Sequence, residues 1–125
     1  MTSTPKQYSI EEVEKIARIE IPDAASGIQV DTDTGWMDDA AWIKFALPPN
    51  ELKLFIEKYG FQLEEGYWSI QNTGLSWWPD WLPPSKPPIA QYMGGKQHFP
   101  GYSQSILVDV TNSDLYVVYF QCLEH

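Results

Sequence analysis

Residues 41–52, Ala-Trp-Ile-Lys-Phe-Ala-Leu-Pro-Pro-Asn-Glu-Leu, switch from one periodicity to another within a dozen positions. Up to Leu47 the pattern alternates, placing Ala41, Ile43, Phe45 and Leu47 on one face and Trp42 and Lys44 on the other, as on a strand that covers a core with one side only. From Pro48 the spacing changes. Proline is tolerated in a first helical turn, where its missing N–H has no partner to lose, and Leu52, Phe55, Ile56 and Tyr59 then recur at helical intervals. Gly60 follows where a left-handed C-cap belongs, so the stretch reads as a strand over 41–47 leading into a helix over 50–59.

Upstream, Ser9 and Glu12 have capping-box spacing, and Ile10, Val13, Ile16 and Ala17 predict a helix over 10–19 that Pro22 ends. Ile28 to Thr32 alternates β-branched and polar residues and reads as a strand, paired with 41–47 across an acidic turn. Near the C-terminus, Ser105 to Val110 and Tyr116 to Gln121 predict a second hairpin across Thr111-Asn112-Ser113-Asp114. The expectation is an α+β fold: a four-stranded antiparallel sheet from two hairpins with two helices, in the order α-β-β-α-long loop-β-β. One domain over residues 1–122 is expected, with 123–125, Leu-Glu-His, read as a tag remnant.

Between Gly66 and Tyr102 the periodicity collapses. Six prolines and seven aromatic residues crowd residues 66–101, and Leu75 to Pro88, LSWWPDWLPPSKPP, holds three of the chain's six tryptophans. A connection this long is uncommon in a compact domain, and its aromatic content predicts that it packs on the body rather than remaining disordered. Trp78 and Trp81 are expected against the body and Trp77 at least partly in solvent, since neighbouring side chains of an extended segment point oppositely. Trp77, Tyr92, His98 and Tyr102 are therefore the candidate ligand-binding residues.

Charge separates the same two regions. Residues 1–65 carry 13 of the 17 acids and six of the eight bases, whereas residues 66–108 carry only Asp80 against Lys86 and Lys96. A formal charge of −9 excludes the basic stripe that nucleic-acid backbone binding requires. The single cysteine, Cys122, has no partner for an internal disulfide. No apolar run is long enough to span a bilayer. The expected location is the cytoplasm, or the envelope where a signal or lipid-anchoring segment has been removed, and membrane contact is expected only through such an anchor.

Motifs for chemistry are weak. Asp31-Thr32-Asp33-Thr34 resembles in part the Asp-x-Asp-x-Thr signature of haloacid-dehalogenase-type phosphatases, with Gly35 where the signature has threonine, and that signature sits on a parallel sheet that these hairpins do not predict. Extended to Asp39, the run has the acids of a calcium loop, but Gly35 stands fifth rather than sixth and no glutamate closes it, Trp42 standing twelfth. Gly94-Gly95-Lys96 lacks P-loop spacing. His98 and His125 have no partners at metal-ligand spacing, and no Gly-x-Ser-x-Gly elbow marks a nucleophile. No catalytic residue, metal or cofactor is predicted.

Ile21-Pro22-Asp23-Ala24-Ala25, together with Ile43 to Ile56, resembles small uncharacterised bacterial α+β proteins, some of them lipid-anchored. These share an I-P-x-x-A turn and an F-x-x-P-x-x-E/D-L-x-x-F strand-to-helix segment. The resemblance spans about residues 20–60 and implies a fold and an anchor but no activity. The function expected is a non-enzymatic module that binds a protein or peptide through its aromatic loop. The alternatives are a carbohydrate-binding module, an acidic inhibitor or immunity-type protein, and a small hydrolase using carboxylates and His98.

Overall fold

The computed structural model describes residues 9–34 and 38–125. Helix α1 (Ile10–Ala17) leads into the hairpin β1 (Ser26–Thr34) and β2 (Asp39–Leu47), followed by α2 (Pro49–Tyr59). Then come β3 (Glu64–Glu65), β4 (Tyr92–Phe99), β5 (Tyr102–Asp109) and β6 (Tyr116–Glu124). All six strands form one antiparallel sheet in the order β1-β2-β6-β5-β4-β3. The α+β class and both helices agree with the expectation. The four-stranded sheet does not: two further strands lie on the β5 side, and β4 occupies the end of what reads as a long loop over 66–102. The turn of the first hairpin, with Gly35 and the centre of the supposed calcium loop, lies outside the described residues.

The helix ends follow their local chemistry. Ser9 accepts a hydrogen bond from the Glu12 amide at 3.2 Å, as its capping-box position requires. Arg18, not Pro22, stops α1: it adopts a left-handed conformation at φ 61° and donates its amide to the Glu14 carbonyl. Gly60 does the same for α2 at φ 73°.

The helices cover one sheet face. Ala41, Ile43, Phe45 and Leu47 are fully buried there with Ile106, Val108, Val118, Phe120 and Cys122, joined by Val13 and Ala17 of α1 and Leu52 and Phe55 of α2. Phe45 meets Phe55 edge-on at 5.6 Å, and Phe61 meets Phe120 the same way at 6.1 Å. The opposite face is covered too. Leu107 and Tyr119 point away from the helices and are buried beneath Ile70, Trp78 and Ile89 of the 66–91 segment. Three layers result: helices, sheet and aromatic loop.

At the sheet edge the chain wraps around β4. A side chain at either of its two glycines would collide, one on each face: a Cβ on Gly94 would strike the Tyr67 carbonyl and Ser69, and one on Gly95 would strike the Gln62 carbonyl. These two glycines are a passage for backbone, which explains the motif that superficially resembles a phosphate loop. The 66–91 segment begins and ends side by side, since the Gly66 amide donates to the Tyr92 carbonyl at 3.0 Å. β6 continues through Leu123 and Glu124, residues read from sequence as tag, with Leu123 paired to Ala40 and Ser103. Glu124 forms an ion pair with Arg18 at 3.1 Å.

Candidate functional site

The aromatic loop is held down by its polar residues before its tryptophans contribute anything. Ser69 Oγ donates to the Ile106 carbonyl at 2.5 Å, and the Gln71 amide donates to Gln121 Oε1 at 3.2 Å, fastening the start of the loop to β5 and β6. Asp80 then folds the loop on itself. Its two carboxylate oxygens accept from the Thr73 and Gly74 amides at 2.8 and 2.9 Å, while Asn72 Oδ1 accepts from the Trp81 amide at 2.8 Å. Gly74 adopts φ 77°, which the reversal requires. Charge-assisted bonds of this kind are among the stronger ones available to a loop without ladder partners.

On this frame the three tryptophans separate. Trp78 is 4% exposed, lies edge-on to Tyr119 at 5.7 Å, and satisfies its indole N–H with the Gln71 carbonyl at 2.8 Å. Trp77 is half-buried and stands edge-on to Trp78 at 5.9 Å. Trp81 does not join Trp78 on the body as expected. No helix follows Pro79; the ring instead meets Trp68 at 5.4 Å, and its N–H donates to the Ser85 carbonyl at 2.7 Å. Leu82, next to it, is 75% exposed. Leu82 is thus an exposed apolar side chain on an otherwise fastened loop, with the partly buried Trp81 and Trp77 close before it in sequence.

The four residues singled out from sequence do not converge. Trp77 and Tyr92 share the loop-covered face, where Tyr92 packs edge-on to Trp68 at 5.2 Å. His98 points to that face as well, opposite Ser103, but lies six residues along β4, about 20 Å away at strand rise. Tyr102 belongs to the helix face. Its ring stacks on Phe99 at 4.8 Å and lies under the Arg18 guanidinium at 4.1 Å. The division follows from parity along β4 and the start of β5, which cannot be assigned while residues 66–102 are read as a loop.

The electrostatics fit a packed scaffold. Burial pushes the Cys122 thiol up, against the hydrogen bond and charge of Arg18, so the thiolate that would react is disfavoured. Burial, then the charge of Asp109, pushes the Tyr119 phenol up. Among the described residues no three His, Cys, Asp or Glu side chains gather as metal ligands, and the Thr32 hydroxyl is the one buried side-chain polar atom without a partner. Arg18, the sole arginine, was not singled out from sequence; its position just behind an amphipathic helix is the signal that could have marked it. Leu82 also escaped notice, because its aromatic neighbours draw attention first, whereas Trp68, which stands beside a strand pattern, reads from sequence as structural.

No family model, curated protein or solved structure matches this chain.

Proposed function

We propose that the protein is a non-enzymatic module that binds a protein or peptide partner through the ridge of Trp77, Trp81 and Leu82. The observation that carries this reading is Leu82, a leucine 75% exposed on a loop that Asp80 and Asn72 fasten in place. A loop ordered before binding loses little entropy on association, and an exposed leucine with partly exposed indoles near it supplies area for a hot spot. The ridge belongs to the nearly neutral region of the chain, so an apolar partner surface can approach it with little charge to desolvate.

The test is chemical cross-linking in the source cell, then reconstitution with the purified partner. Leu82→Ser and Trp77→Ala should each weaken the purified complex by about 30-fold or more, the scale of a hot-spot truncation. A partner that binds both variants as tightly as the parent protein would sink the proposal. So would tryptophan quenching by soluble oligosaccharides, which would move the reading to a carbohydrate module.

A further inference from the structure

A second surface lies on the opposite side of the molecule, where residues 20–23 cross between the helices. This strap is fixed. The Glu20 amide donates to the Tyr59 hydroxyl at 2.7 Å, and the Ile21 amide donates to Glu14 Oε2 at 2.7 Å. Its two flanks are open. Against α2 it leaves a groove of about 240 Å³, and against the start of β1 another of about 440 Å³.

Each groove carries an aliphatic side chain that the fold does not use. Leu54 is 59% exposed on α2, between the buried Leu52 and Phe55 but turned from the core. Ile28 lies in the irregularity between Ser26 and Gln29, where β1 loses register with β2, so it has no cross-strand partner and is exposed. Pro22 separates the two grooves. Around them stand Glu20, Asp23 and Glu51, and Lys58, the one basic residue among the described residues lining either groove, already pairs with Glu20 at 3.3 Å.

We propose that this strap is a docking surface for a basic, apolar segment of a protein partner. An aliphatic side chain enters each groove, beside Leu54 or Ile28, and neighbouring Lys or Arg residues face Asp23, Glu51 and Glu20. Charge complementarity selects that occupant. The whole chain carries −9, with most of the acids in residues 1–65, and such a field steers cationic partners while repelling acidic ones. An anionic lipid surface or a nucleic acid meets the wrong sign.

The probe is a 15-residue amphipathic helical peptide of leucine and lysine, titrated into the full chain and followed by amide chemical shifts, with a leucine-glutamate counterpart as control. The expected shifts concentrate at residues 20–28 and 51–58, and the glutamate peptide gives none. Leu54→Ser and Asp23→Lys, both at exposed positions, should each weaken binding by about tenfold, whereas Leu82→Ser on the other face leaves it unchanged. Shifts spread over the acidic surface with Leu54→Ser binding as well as the parent would mean attraction by net charge only, and would overturn the proposal. Shifts confined to Trp77, Trp81 and Leu82 would also overturn it while leaving the aromatic ridge intact as a site.

Discussion

The indole of Trp78 stands edge-on to the ring of Tyr119, their centroids 5.7 Å apart and their planes at 86°. This pair joins the aromatic loop to the sheet, and it gives the tryptophans a ranking. Trp78→Ala should cost about 3–5 kcal/mol, because it empties a buried site and strands the Gln71 carbonyl. Trp77→Ala should cost only about 1–2 kcal/mol. Guanidinium melts of the two variants check this order, and equal losses would place Trp77 in the core and remove it from the ridge.

Gly94 and Gly60 offer a contrast between two reasons for glycine. A Cβ at Gly60 meets nothing, so Gly60→Ala should cost about 1–2 kcal/mol for its positive φ alone. A Cβ at Gly94 runs into the Tyr67 carbonyl, which is backbone and cannot turn aside, so Gly94→Ala should cost about 3 kcal/mol or more. Comparison of denaturation midpoints decides; a Gly94→Ala protein as stable as the Gly60→Ala one would show that the 66–69 crossing yields easily.

Asp80 is an exposed residue with a buried consequence. Asp80→Ala removes the acceptor for the Thr73 and Gly74 amides and should destabilise by about 2 kcal/mol. Hydrogen exchange at those two amides should accelerate, while amides of β2 and β6 lose protection only by the global amount. Unchanged exchange at Thr73 and Gly74 would show that the loop keeps its shape without the carboxylate.

Alkaline pH acts through Cys122 and Tyr119. Burial raises both above their ordinary ranges, so the folded protein holds these two protons longer than the unfolded chain does. Their contribution is complete below the unfolded thiol range, about pH 8.5, and declines as pH rises through the thiol and then the phenol range near 10. Melting temperature across pH 7–11 should fall accordingly, and Cys122→Ala should flatten the first part of the decline. A Cys122→Ala curve parallel to the parent from neutral pH upward would contradict this.

The alternation at 41–47 and the cap at Gly60 were readable because a single local period carries each. Both faces of the sheet were half readable. The near-continuous apolar runs Ile106-Leu107-Val108 and Val117-Val118-Tyr119-Phe120 are the mark of strands covered on both sides, and they point to a second covering layer that the loop supplies. β4 was hidden. Tyr92-Met93-Gly94-Gly95-Lys96 has poor strand propensity, and its glycines read as a turn when they serve instead to let the chain pass on either side. Without β4 the facing of Tyr92, His98 and Tyr102 had no parity to fix it, so residues on opposite faces were grouped as one site.

The hydrogen bond between Gly66 and Tyr92 makes everything from 67 to 91 an excursion that leaves and re-enters one β3–β4 hairpin at the same place. Sheet pairing does not depend on how long that excursion is, and closure cost grows only slowly with length. Evolution or an engineer can therefore rewrite the segment as an interchangeable cassette. The condition is that each replacement still shields Leu107 and Tyr119 from water.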